Sequence, residues 1–384
     1  MTATKTRIAR IITRMDLGGA QRAVLYLTKG LDPQSFEQLT ITGEGGILSP
    51  ELSGLRHEIV PELVRDIGLT SAPKDILAIA RIRRILRDFR PHIVHTHTPK
   101  AGIVGRWAGR LAGVPNILHT YHGFGFSPDH PWWQRRIYDS VEKATAQITD
   151  QFVCVSEHNL LEGRRRGLFC GRPSRVIRSG IDFDHFNGPR VDKLKKKMEL
   201  GISETDKIVG VVASFTPSKG LHFFLEAAQK ISSRFSGVSF VMVGDGELRS
   251  MLEGRVAVLG LDNRVKMLGW RHDVPELLRI FDVFLLTSLW EGLPRSLVEA
   301  MISEIPVIAS DVDGISEIVI EGKTGYLVAP GNTDEMAEKV IAVLRNENVA
   351  RRITATARLN LEEFTVQNML KEYSQLYENT LAGI

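Results

Sequence analysis

Two carboxylates eight positions apart, Glu291 and Glu299 in the stretch Trp290–Met301 (WEGLPRSLVEAM), carry the clearest chemistry in the chain. The apolar run Val283–Leu286 ends just before them. Gly292–Leu293–Pro294 reads as a tight turn, and Pro294 suits the opening of a helix that holds Glu299. One carboxylate then stands in a strand-end loop and the other about two turns further on. The unpaired amides at such a helix start can hold a phosphate. A carboxylate on that helix can accept two hydrogen bonds from a sugar diol, as acidic residues do for ribose in doubly wound folds. The bland alternative is two solvated glutamates flanking a turn.

Those residues need a framework that ends strands and starts helices in one place. Short apolar runs alternate with amphipathic stretches along the whole chain. Arg7–Thr13, Gln38–Thr42, Glu58–Val60, His92–His97, Asn116–Thr120 and Gln151–Val155 read as strands. Helices read at Gln21–Gly30, Ile76–Phe89, Ala101–Ala112 and Pro131–Ala146. The pattern then restarts, with strands at Lys207–Ala213, Val238–Gly244, Val265–Leu268, Val283–Leu286 and Pro306–Ala309. Helices fall between them at Lys219–Phe235, Leu248–Leu259, Val274–Phe281 and Ser296–Ile302, and a last helical stretch runs from Thr333 to about Leu381.

Strands alternating with helices of ten or more residues imply parallel sheets with crossover helices. Two such series imply an α/β protein of two doubly wound, Rossmann-like domains, residues 1–187 and 188–384, divided in the polar stretch Asp184–Lys193. The final helix, 366–384, can pack back on the first domain. Open parallel sheets bind ligands beyond the carboxyl ends of their strands, so the expected site is a cleft between two facing domains.

Composition narrows the class. The chain has 384 residues, 43% hydrophobic and 24% charged, as in an ordinary globular protein. Two cysteines, Cys154 and Cys170, make no disulfide scaffold. Cys154 lies in an apolar strand and reads as packing, not as a nucleophile. No apolar run approaches the roughly 20 residues needed to span a bilayer, and the start lacks the apolar core of a signal peptide. A cytoplasmic protein is expected. Residues 1–187 hold 26 Lys/Arg against 18 Asp/Glu, while residues 188–384 hold 23 against 27. A basic first half suggests an anionic partner there.

The block Glu291–Met301, with Pro306–Ser310 and Asp313–Gly314, resembles the nucleotide-sugar motif of glycosyltransferase family 4. The resemblance extends over most of the chain. Asp16–Leu17–Gly18–Gly19–Ala20–Gln21 is similar to that family's glycine loop. His95–Thr96–His97, Lys100–Ala101–Gly102, Gly105–Arg106 and His119–Thr120–Tyr121–His122–Gly123 resemble its mid-domain motifs. Ser179–Gly180–Ile181–Asp182, Lys219–Gly220, Val243–Gly244–Asp245–Gly246 and Gly325–Tyr326–Leu327–Val328 follow in the family's order.

The resemblance implies the GT-B fold and a retaining transferase that uses a nucleoside-diphosphate sugar, with UDP the expected nucleotide and no metal required. It implies that Glu299 binds the ribose hydroxyls and that Glu291 contacts the donor sugar. Amides of Gly292, Leu293 and Pro294 would approach the donor. Gly18 and Gly19 would let the first loop come close to the diphosphate, where a Cβ would intrude. Lys219 would neutralise the departing diphosphate. A lysine at a helix start is otherwise poorly placed, unless an anion binds there. His122 would lie near the donor sugar and the acceptor, able to accept a proton or a hydrogen bond.

One departure stands out. Five residues before its lysine the family usually has arginine, and here that position is Ser214, which removes a fork-shaped cation from the diphosphate. Arg295, Arg271 and Arg178 are the candidate replacements. The departure leaves open a nucleotide-sugar or glycan-binding protein without turnover, and a sugar-nucleotide epimerase is the other alternative.

Other chemistries find less support. His95, His97, His119 and His122 come in pairs from separate strand ends with no acidic cluster, so no metal site is expected. Gly244–Asp245–Gly246 is an incomplete dinucleotide fingerprint, since position 249 is Arg. No hydrolase elbow or Walker lysine motif occurs.

The basic half has an aromatic feature. Trp132 and Trp133 adjoin Arg135 and Arg136, and with Arg164, Arg165, Arg166 and the Ile76–Arg90 stretch they can form a basic surface with aromatic anchors. The expected partners are a nucleotide-sugar, a glycan or lipid-linked acceptor and an anionic membrane surface, met peripherally. A nucleic acid is not expected, because no reader motif is present.

Overall fold

The computed structural model describes residues 5–64, 72–124, 131–188, 191–359 and 361–383. The chain forms two compact units, residues 1–180 with 366–384, and residues 181–365.

The first unit is built on a seven-stranded sheet. Its strands are β1 (Thr6–Ile12), β2 (Phe36–Thr42), β3 (His57–Ile59), β4 (Ile93–His97), β5 (Asn116–Tyr121), β6 (Gln151–Cys154) and β7 (Ser174–Val176). All pair in parallel, in the order β3-β2-β1-β4-β5-β6-β7. Covering helices hide both sheet faces, which is why most strands read as apolar runs. Strand β4 is buried throughout, yet carries His95, Thr96 and His97 where a parallel strand would normally place aliphatic residues. That conflict between pattern and burial marks a working region.

The second unit carries a six-stranded parallel sheet. It comprises β8 (Lys207–Val212), β9 (Val238–Val243), β10 (Val265–Met267), β11 (Val283–Leu286), β12 (Val307–Ser310) and β13 (Tyr326–Val328), ordered β10-β9-β8-β11-β12-β13. The helix Leu221–Arg234 buries Leu221, Phe224, Leu225, Ala228 and Ile231, one stripe at helical spacing. Each fully buried Leu or Phe contributes roughly 1.5–3 kcal/mol of apolar transfer.

Several boundaries differ from the sequence expectation. The second unit begins at Ile181, not at 188. Ile181 donates its N–H to the Phe364 carbonyl at 2.7 Å, and Phe186 joins that unit's core. Pro189, inside the expected linker, lies outside the described residues. The expected final helical stretch is three helices, Thr333–Arg345, Glu347–Arg358 and Val366–Ala382. Asn346 separates the first two, its side chain capping the second by accepting from Val349 N at 3.2 Å. The third packs on the first unit through Met369, Tyr373, Leu376 and Tyr377, which share a core with Ile8, Leu27 and Ile93.

Candidate active site

In the second unit the strand order reverses between β8 and β11, the position where doubly wound sheets open a ligand crevice. The loops leaving those two strands are stitched together. Thr287 Oγ1 lies 3.1 Å from the carbonyls of both Lys219 and Gly220, and Leu289 N donates to Ser218 O at 2.7 Å. Gly220 has φ +53°, and a Cβ there would stand 2.3 Å from the Thr287 carbonyl oxygen. Only glycine fits this turn, which closes the 3₁₀ segment Pro217–Lys219 and opens the helix Leu221–Arg234.

The turn brings Lys219 to Glu291. Lys219 Nζ donates to both carboxylate oxygens, at 2.6 and 2.8 Å. Ser288 Oγ donates to the same carboxylate at 2.6 Å, and the Glu291 N–H donates to Asp313 Oδ2 at 2.6 Å. Lys219 therefore does not stand at a helix start as an uncompensated cation, because Glu291 neutralises it. Glu291 is 9% exposed and Glu299 8%, so neither is a solvated surface glutamate. The helix carrying Glu299 runs Arg295–Ile302, with Pro294 as its extended N-cap residue, one position before the helix proper.

The three candidate replacement cations differ in availability. Arg271 is held by Asp273 at 2.7 and 2.6 Å and by Glu199 at 3.0 Å. Arg178 belongs to the first unit and donates to the Val155 carbonyl at 3.3 Å. Arg295 is buried in the first turn of the Glu299 helix, its Nη2 3.8 Å from Glu299 Oε1. At Ser214 itself the loop carries hydroxyls: Ser214 Oγ lies 3.3 Å from Thr216 Oγ1, which lies 3.1 Å from Ser218 Oγ.

In the first unit the order reverses between β1 and β4, and Thr13 Oγ1 meets Thr98 Oγ1 at 3.3 Å beyond those strand ends. Gly18 precedes the helix Gly19–Gly30 with φ −141° and ψ 161°, a conformation open to any residue. A Cβ on Gly18 would meet the Gln21 side chain at 2.4 Å, a flexible neighbour. The glycine-aromatic run after His122 is described as far as Phe124, and Gly125 and Phe126 lie outside the described residues.

His122, half-buried at the end of β5, has its Nε2 3.1 Å from His97 Nδ1. His95 bonds through Nδ1 to Tyr377 Oη at 2.7 Å and through Nε2 to Thr120 Oγ1 at 2.8 Å. His119 Nδ1 lies 2.9 Å from Thr96 Oγ1. A Cβ on Gly102 would stand 2.5 Å from the His119 ring, so this glycine makes room for the imidazole. Burial first, then neighbouring positive groups, hold His95, His97 and His119 well below the usual histidine range, so all three are neutral. Burial likewise pushes the Cys154 thiol up to about 12, in keeping with packing.

Trp132 and Trp133 open the helix Trp132–Ala146 and are exposed, Trp132 at 70%. Arg136 is exposed and Arg135 half-buried. The triple-arginine run is less open than its sequence suggests. Arg165 and Arg166 both donate to Glu162, at 2.5–2.7 Å, and the Arg165 bond foremost draws the Glu162 carboxyl down to about 2.

Five contributing residues carry no role in the sequence analysis. Ser288 and Thr287 are polar residues directly after an entirely buried apolar strand, which was a usable signal. Asp313 lay inside a recognised block but carried no assigned role. Tyr373 and Tyr377, which hold Thr120 and His95, are four apart on a distant helix, and nothing local in the sequence connects them to β4.

Residues 17–185 match the family model described as Glycosyltransferase Family 4, and residues 192–360 match that described as Glycosyl transferases group 1. The UDP-Gal:alpha-D-GlcNAc-diphosphoundecaprenol alpha-1,3-galactosyltransferase of Escherichia coli is 32% identical over 348 residues, 89% of each chain. The N-acetyl-alpha-D-glucosaminyl L-malate synthase of Bacillus anthracis is 32% identical over 315 residues, 80% of each. Among solved structures, HepE of Anabaena in complex with UDP and glucose superimposes with a TM-score of 0.84 at 22% identity, covering 99% of this chain and 100% of that one. Sucrose-phosphate synthase of Thermosynechococcus elongatus gives 0.85 at 22% identity with the same coverage. The paired doubly wound units are those of a GT-B glycosyltransferase. The chain belongs to glycosyltransferase family 4.

Proposed function

We propose that the enzyme transfers a sugar from a UDP-sugar, with retention of anomeric configuration, to a hydroxyl of a lipid-linked or cell-surface glycan precursor. The observation that carries this reading is the Lys219–Glu291 pair at the switch point of the second unit, with Glu299 buried on the helix that follows Glu291 in the chain. Support for the donor and acceptor comes from the 32%-identical relative, whose name specifies UDP-Gal and a diphosphoundecaprenol-linked sugar.

In this reading the second unit binds the donor and the first unit the acceptor. Glu299 accepts hydrogen bonds from the ribose hydroxyls. The amides of Gly292, Leu293 and Pro294 border the diphosphate and sugar. Gly18 and Gly19 give room for the first loop. At rest Lys219 and Glu291 neutralise each other. The arriving diphosphate takes over the ammonium, and Glu291 turns to the sugar hydroxyls. The bond from the anomeric carbon to the diphosphate oxygen breaks, and a bond to the acceptor oxygen forms on the same face. The acceptor proton passes to the departing diphosphate. Stabilising that leaving group is the main catalytic contribution, met here by Lys219, helix-start amides and the hydroxyls of the Ser214 loop. This chemistry calls for no metal ion. Trp132, Trp133, Arg135 and Arg136 are assigned to the acceptor and membrane side.

A screen of sugar nucleotides with membrane lipid extract as acceptor tests the proposal. Transfer from a UDP-sugar, with a raised melting temperature in UDP, is the expected result. Donor binding with no transfer to any acceptor would favour a binding protein, consistent with Ser214. Stabilisation by NAD alone would overturn both.

A further inference from the structure

His97 is fully buried, its Nδ1 lies 3.1 Å from His122 Nε2, and its Nε2 has no hydrogen-bond partner among the described residues. A neutral imidazole carries one proton. Placing that proton on Nε2 would bury an N–H with no acceptor, whereas placing it on Nδ1 leaves only an unused lone pair. Buried donors without acceptors are the rarer and costlier of the two.

From this geometry we infer that His97 is a positioning residue that donates from Nδ1 to His122 Nε2, and so fixes the tautomer in which His122 carries its own proton on Nδ1. The inference rests on the proposal that His122 belongs to the transfer site. It changes the role expected of that residue. In that tautomer the one lone pair of His122, on Nε2, is taken by His97, so His122 does not act as a base. A second proton on His122 would face the Nδ1 proton of His97, or force His97 to bury an unpaired N–H.

The surroundings hold His97 in place. Its ring lies 4.1 Å, centroid to centroid, from His95, which Tyr377 and Thr120 hold at both nitrogens. Thr120 in turn meets Tyr373 Oη at 3.0 Å. The C-terminal helix thus braces β4 and β5 through two hydroxyls. The other ionisable groups facing this pair are His95 on β4, His119 on β5 and Arg10 on β1, all basic, so a charged His97 has no support from them.

The test is nitrogen-15 NMR of histidine-labelled protein. The wild type is expected to show neutral His122 protonated on Nδ1, and a His122 signal protonated on Nε2 overturns the inference. His97→Phe keeps the ring volume and removes the donor, while His97→Asn keeps an N–H near the Nδ1 position. His97→Phe is expected to mix the His122 tautomers and lower kcat about 10- to 100-fold, the range seen for groups that orient metal-bound histidines, with little change in donor KM. His97→Asn is expected to restore both. Equal losses in both variants with an unmoved His122 tautomer would make His97 merely structural and overturn the inference. Undiminished transfer by His122→Ala would instead sink the parent reading, a failure the wild-type spectrum tells apart.

Discussion

Lys219 and Glu291 lie 72 positions apart, yet the ammonium sits 2.6 and 2.8 Å from the two carboxylate oxygens. Each residue comes from a loop that leaves a central strand on one side of the point where the sheet's order reverses. The fold thereby places an opposite-charge pair where it also places helix-start amides.

Removing one partner should expose the tension between stability and use. Lys219→Met leaves the Glu291 carboxylate buried without its cation, and a loss of about 2–4 kcal/mol is expected from chemical denaturation. Transfer should fall at least about 100-fold, as when one transition-state donor is removed. Lys219→Met combined with Glu291→Gln should regain most of the stability and none of the activity. Recovery of transfer in the double variant would contradict the assignment.

Gly220→Ala should be severe for a backbone reason. Its φ of +53° costs about 1–3 kcal/mol for a residue with a Cβ, and that atom would collide with the Thr287 carbonyl. Urea unfolding should show a loss above that range, with UDP affinity falling as the Lys219 turn shifts. A variant as stable as the parent would show that the two loops are not locked together.

The buried histidines predict an acid-sensitive fold. The unfolded chain protonates His95, His97 and His119 near pH 6.5, and the native chain resists because their native values are depressed. The unfolded state thus binds more protons below that point, and stability falls as pH drops. Each histidine contributes about 1.4 kcal/mol per pH unit until its native value is reached. Denaturation between pH 6.5 and 5 should show this slope, and a flat profile would contradict neutral burial.

Exposed Trp132 and Trp133, beside exposed Arg136, predict binding to anionic vesicles. Flotation should weaken with salt and with the Trp132→Ala/Trp133→Ala variant, each nearby basic residue being worth about 1 kcal/mol. Binding indifferent to both changes would remove this helix from the membrane side.

Much of this was legible from residues alone. Apolar strands such as Val283–Leu286 and amphipathic helices such as Leu221–Arg234 announce themselves by period, so both doubly wound series could be read. The Glu291–Glu299 block was legible because turn, helix start and carboxylates follow one another locally. What escaped depends on distant contacts. The grip of Lys219 on Glu291, the support of Glu291 by Asp313, and the return of Tyr373 and Tyr377 to the β4 histidines all join segments far apart in sequence. Glu162, by contrast, draws in Arg165 and Arg166 from one helical turn away, which the spacing alone could have suggested.

The anomeric configuration of the product tests the central claim most directly. A UDP-sugar with an α-linked diphosphate, supplied with a lipid-diphosphate-linked acceptor, should give an α-linked product by NMR, and Lys219→Ala should abolish its formation. A β-linked product, or undiminished transfer by Lys219→Ala, would contradict the account.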